Sequence, residues 1–273
     1  GFDFKSIHDA LVARKAWFFF DDQFVCMGSG ISSKVKKQVN TTLNQCLLNG
    51  NVSISSKGKP RKLDSGTKMY PSVDWIHHDK IAYFLTRPQD IWVMNQKAEG
   101  SWWRISKQSD ASKEIISKDV FKAWINHGQS PDNEKYEYIV RPNTSLKELS
   151  INEELNPIVI LSNTPYLQAV INTNLNIIQA VFYKSGKIII DDDLMIQTSA
   201  PCILMIQMNQ NDQINKITVS DPNRELSSLL LKVSKKFKKE GENFNSKWIA
   251  EKGISEIIID LPDGNNSGKS IDI

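Results

Sequence analysis

Short runs rich in β-branched and aromatic residues return at close intervals along this chain, each ended by Gly, Asn, Asp, Ser or Pro, and no other feature restricts its fold as strongly. The runs suit a pleated, half-buried surface and the residues between them suit turns, which is the pattern of an antiparallel sandwich or barrel. Helix signals are scarce. In the first half the expected strands are Ala16–Phe20, Gln23–Gly28, Gln38–Leu43, Ile81–Thr86, Ile91–Met94, Trp102–Ser106, Phe121–His127 and Tyr136–Arg141. Asp21-Asp22 joins the first two as a tight hairpin, because Asp tolerates turn dihedrals.

Around Ser150–Pro157 the sequence SINEELNP turns polar and ends on a proline, as interdomain connections do, dividing the chain into residues 1–150 and 151–273. A second set of strands is expected at Ile158–Leu161, Leu167–Asn172, Ile177–Tyr183, Lys187–Ile190, Cys202–Gln207, Ile214–Ser220, Leu229–Val233 and Glu256–Leu261. Lys184-Ser185-Gly186 and Asp221-Pro222-Asn223 mark turns within it. The fold class is therefore all-β, an antiparallel β-sandwich followed by a second, smaller one, and no internal repeat is detectable.

Charge excludes one class of partner. With 34 basic and 31 acidic side chains the net charge is +3, a field too weak to point to nucleic acid. No segment approaches the roughly 18 to 20 apolar residues of a spanning helix, so no membrane span is expected. The opening GFDFKSIHDALVARKAW lacks the charged and apolar regions of a signal peptide. Cys26, Cys46 and Cys202 are odd in number and lack metal-ligand spacing, so they read as free thiols, with a Cys26–Cys46 bridge left open.

The side chains capable of chemistry are few. His77-His78-Asp79 reads as a turn before IAYFL, and His127 as a cap or turn residue after FKAWIN. Asp191-Asp192-Asp193 lacks the alternating ligands and closing Glu of a calcium loop and reads as a solvated turn, so no metal or other cofactor is expected. Trp17 and Trp124 read as core. Trp102-Trp103-Arg104 is more open: if it is a strand, one indole faces outward, where stacking and the guanidinium would suit a carboxylated sugar. The basic run Lys232–Glu242, with Lys235 and Lys236, reads as a solvated hairpin arm or as a site for a sulfated or carboxylated polymer.

Several phrases, in order, resemble polysaccharide lyase family eight, which includes bacterial hyaluronate, chondroitin and xanthan lyases. ARKAWFFFDDQFVCMGSGI (Ala13–Ile31), TTLNQC (Thr41–Cys46), FKAWINHG (Phe121–Gly128) and YEYIVRPN (Tyr136–Asn143) resemble its large sandwich domain. LSNTPYLQAV (Leu161–Val170), QAVFYK (Gln179–Lys184), PCILM (Pro201–Met205), ITVSDP (Ile217–Pro222) and the ending IDLPDGNNSGKSIDI resemble its terminal sandwich. Lys107–Asp119 and Lys235–Gly253 are the least similar stretches. The resemblance implies β-elimination of uronic-acid-containing glycosaminoglycans, chondroitin sulfate or hyaluronan, without a catalytic metal, by a secreted, periplasmic or cell-surface bacterial enzyme. In such enzymes a tyrosine, a histidine, an asparagine and an arginine act from a preceding helical α/α toroid. None of their motifs is found on this chain, so no catalytic residue is carried over, and the chain is expected to be inactive alone, supporting the fold and lining the cleft. The alternative reading is a stand-alone module binding acidic polysaccharide.

Overall fold

The computed structural model describes residues 1–151 and 156–273; the rest of the expected interdomain connection lies outside the described residues. The described strands form one ten-stranded and two six-stranded sheets, and every strand pair is antiparallel. The large sheet is drawn from residues 2–141 and the smaller two from residues 158–272.

Two long strands fold the large sheet over on itself. Thr67–His78 and Ile81–Gly100 are joined by Asp79-Lys80, both left-handed with φ of 48° and 62°, the two-residue hairpin geometry that matches strand twist. Their register shifts between Tyr70, Val73 and Trp75, where extra residues bend the ladder. The stretch Ala82–Leu85 therefore pairs with Tyr138–Arg141 in one half, while Trp92–Gly100 pairs with Ile116–Trp124 in the other. Both halves feed one core, which holds Val52, Ile54, Ile76 and Tyr138 together with Ile91, Val93, Phe121 and Ala123. The His78 and Phe121 rings stack across it with centroids 4.3 Å apart.

Period two then builds the next layers. On the far face of the first half, Ala16, Phe18, Val25, Met27 and Ile139 pack against Ile158, Val170 and Val181. Ala169, Ala180 and Phe182, the neighbours of those valines, face the opposite way and meet Ile196, Leu231, Val233, Ile257 and Ile259 of the last sheet. The described residues thus form four β layers with three apolar cores between them.

Several expected elements differ. Ile81–Thr86 and Ile91–Met94 are parts of one strand, which runs through Arg87-Pro88; that segment is exposed, where a missing N–H is tolerated. Val52–Ser56, Met195–Thr198 and Phe244–Ile249 are additional strands. Trp102–Ser106 is not a strand: Trp102–Ile105 forms a single helical turn closed by the Ser106 N–H on the Trp102 carbonyl at 2.8 Å. A second helix, Leu146–Ile151, starts with a capping box, the Ser145 N–H donating to Glu148 Oε2 at 2.6 Å and the Glu148 N–H to Ser145 Oγ at 3.3 Å.

Candidate functional site

The open tryptophan motif sits in the connection between the strands Ile81–Gly100 and Ile116–Gln129. Because Trp102–Ile105 is helical, the alternation expected of a strand does not apply. Trp102 is 60% exposed, whereas Trp103 is half-buried with the Lys113 ammonium 4.7 Å from its ring centroid. Arg104 is exposed and donates to the Glu99 carbonyl at 3.3 Å. Lys235 and Lys236 follow the strand Ser228–Val233 in the last layer, and the Lys235 carbonyl accepts from Ser255 Oγ at 2.9 Å. The two candidate groups occupy opposite outer layers.

Three of the four histidines have ring partners within the fold. His77 and His78 end the strand Thr67–His78, and the turn falls on Asp79-Lys80 rather than on them. His77 Nε2 donates to the Thr144 carbonyl at 2.8 Å. His78 is buried; its Nε2 accepts from the Asn49 backbone N–H at 3.0 Å, which leaves the ring proton on Nδ1, 3.8 Å from Cys46 Sγ. Burial, the larger influence, and the His77 charge lower the His78 pKa against an upward pull from Asp79. His127 lies within the strand Ile116–Gln129, its Nε2 2.8 Å from Thr41 Oγ1, and burial lowers its pKa as well. Asn44 donates to the Tyr83 hydroxyl at 2.6 Å, and burial pushes that phenol up to about 12. All three cysteines are unpaired. Asp191 Oδ1 accepts from the N–H groups of Asp193 and Leu194, both at 2.8 Å, as an ordinary turn residue does. Among the described residues no cluster of three or more His, Cys, Asp or Glu could hold a metal.

The core assignment of two tryptophans is overturned. Trp17 is 42% exposed, and Trp124 is half-buried on the outer face of the first layer, stacked on Trp92 with centroids 5.8 Å apart and planes 15° apart. Lys15 beside Trp17 and Lys122 beside Trp124 share those outward positions, while Ala16, Phe18, Ala123 and Ile125 take the inward ones. The alternating lysines were the signal.

Sequence reasoning did not nominate a cleft of about 660 Å³ between the Asp21-Asp22 hairpin and the segment Arg141–Leu149. Arg141 Nη2 donates to the buried Gln23 Oε1 at 2.9 Å, and its guanidinium lies 5.0 Å from the Phe84 centroid. Phe19 stacks on Phe24 at 5.3 Å. Asp21, Asp22, Asn143 and Glu148 complete the polar lining, which includes no histidine and no tyrosine. Such a lining can hydrogen-bond hydroxyls, but its three carboxylates outnumber its single guanidinium and it contains no imidazole.

The family model for the polysaccharide lyase family 8 super-sandwich domain matches residues 1–152, and that for the family's C-terminal beta-sandwich domain matches residues 159–229. The chain belongs to polysaccharide lyase family 8. Chondroitinase-AC of Pedobacter heparinus is 37% identical to this lyase-family chain over 226 residues, covering 83% of the chain and 31% of the relative. A chondroitinase AC lyase solved with oligosaccharides superposes with a TM-score of 0.83 at 31% identity, over 99% of the chain and 37% of the solved one. Paenibacillus xanthan lyase shares the fold, with a TM-score of 0.85 over the whole chain and 27% of the solved one, at 21% identity. This family 8 chain therefore spans about a third of the length of the relatives it matches.

Proposed function

We propose that the chain is the sandwich portion of a polysaccharide lyase that cleaves chondroitin or hyaluronan by β-elimination, and that it supports the fold and lines the cleft while other residues react. Elimination next to a uronate needs a base for the C5 proton, a donor that neutralises the carboxylate and an acid for the leaving oxygen. The observation that carries the reading is that these groups do not come together here. His77, His78 and His127 are each engaged inside the fold. Burial raises the phenols of Tyr83, Tyr136, Tyr138 and Tyr183. Arg141 has a guanidinium but no histidine or tyrosine beside it in the cleft. The missing groups are assigned to a helical toroid domain of a secreted or cell-surface enzyme. Ultraviolet absorbance of unsaturated uronide tests this: the chain incubated with chondroitin or hyaluronan should give none, and steady product formation would overturn the assignment.

A second reading, a stand-alone acidic-polysaccharide module, is favoured by the exposed Trp102 beside Arg104 and by Lys235 and Lys236. Titration of Trp102→Ala/Arg104→Gln and of Lys235→Gln/Lys236→Gln against the unmodified chain decides whether either group contributes.

A further inference from the structure

The last sheet has one face packed and one open. Leu229, Leu231, Val233, Ile257 and Ile259 enter the third core. Their neighbours along the strands face away from it. In register across five strands, the open face carries Lys187, Gln197, Lys232, Glu256 and Lys247 as one row.

Neighbouring strands are about 4.8 Å apart, so lysines on alternate strands of one row repeat at roughly 10 Å. That spacing corresponds to two sugar rings, the repeat of one acidic group per disaccharide in an extended glycan. Lys187 and Lys247 are exposed, and Lys232 is half-buried and bonded to Glu256 at 2.6 Å. The Glu256 carboxyl is held below the usual carboxylate range, chiefly by that Lys232 hydrogen bond, with Lys252 and Lys247 acting through space. Three lysines, Lys232, Lys252 and Lys247, thus act on one carboxylate, and with Lys187 farther along, the row holds three lysines against the single Glu256. Apolar rows flank the charged one: Ile258, 56% exposed, stands beside Leu230 on one side, and Ile189, 62% exposed, lies on the other. Flat aliphatic surface suits the C–H faces of sugar rings, and ammonium groups meet carboxylates or sulfates without a fixed fork geometry.

We propose that this open face binds an extended acidic polysaccharide without cleaving it, the lysine row pairing with acidic groups on alternate sugars. The proposal goes beyond the lyase reading and does not depend on it, because it requires retention of the polymer and no reaction. The test is titration of the chain with hyaluronan octasaccharide, whose acids are carboxylates only, with chondroitin sulfate octasaccharide and with neutral dextran, at an ionic strength of about 0.05 M to limit screening. Binding to one or both acidic glycans and none to dextran is expected, the preferred glycan identifying carboxylate or sulfate as the paired group. Lys187→Gln/Lys247→Gln should weaken that binding roughly tenfold to thirtyfold with an unchanged melting temperature. Lys34→Gln/Lys36→Gln, an equal charge change in the exposed connection between Phe24–Ser32 and Gln38–Leu47, should alter it less than about twofold. Equal loss in both double variants, or no binding of either acidic glycan by the unmodified chain, would overturn the proposal.

Discussion

The Tyr183 hydroxyl lies 2.8 Å from the Lys15 backbone carbonyl, joining the second layer of the molecule to the third. The same hydroxyl is 2.8 Å from Gln168 Oε1. Gln168, buried, passes the connection on by donating to Asn163 Oδ1 at 2.9 Å, and Asn163 donates to the carbonyls of Gly28 and Tyr136 at 3.3 and 3.1 Å. An otherwise apolar interface thereby contains a polar chain in which each member has partners. Such a network fixes the relative register of two faces that apolar contacts alone would leave free to slide.

Removing one member should expose the cost of leaving the others without a donor. Tyr183→Phe keeps the ring but removes the single hydroxyl proton that the Lys15 carbonyl and Gln168 Oε1 share, at about 1–3 kcal/mol. Thermal unfolding should occur several degrees lower; an unchanged midpoint would mean that this contact does not hold the layers together.

A glycine is required where the large sheet brings Gly28 opposite Tyr136. The buried Tyr136 ring occupies the space a Cβ on Gly28 would need. Gly28→Ala should therefore destabilise by about 1–3 kcal/mol through overpacking. Gly100→Ala, with ordinary backbone φ and nothing within 4 Å of the added Cβ, should be neutral. Chemical denaturation of the two variants side by side distinguishes them.

Acid should loosen the first core through His78. Its folded pKa is lowered, first by burial, so the folded state prefers the neutral ring that accepts from Asn49. The stabilisation is complete above the unfolded value of about 6.5 and is lost as pH falls below it towards the depressed folded value. Urea midpoints for the unmodified chain should drop between pH 7.5 and 5, and His78→Gln should flatten that slope. Equal slopes would contradict the assignment.

The thiols should resist alkylation. Burial pushes Cys26 and Cys202 up to about 11 and raises Cys46 as well, so the thiolate population at pH 8 is small. Native protein treated with iodoacetamide and read by mass spectrometry should show slow labelling, with the half-buried Cys46 first; rapid labelling of Cys202 would contradict the packing of the third core.

Much of this architecture is legible in the sequence because period two is a local property. Leu167–Asn172 and Ile214–Ser220 run over the expected bounds, because their runs of β-branched and apolar residues are ended by turn residues. Bends and layers are not local. Nothing in Thr86–Pro88 announces that a strand continues through it, since the pairing is made by distant residues. Trp17 and Trp124 misled because indole size suggests a core, although the lysines sharing their face pointed outward. The Arg141 cleft could not be read in advance, because it forms between segments over 100 residues apart that only the folded sheet brings together.

The most direct test of the lyase reading is the initial rate of unsaturated uronide formation from chondroitin and hyaluronan. It is recorded for this chain and, where the gene encodes further residues, for that longer polypeptide. Product from the longer polypeptide and none from the 273 residues is the predicted result. Product from these residues alone would place the reacting groups inside the four layers and contradict the account.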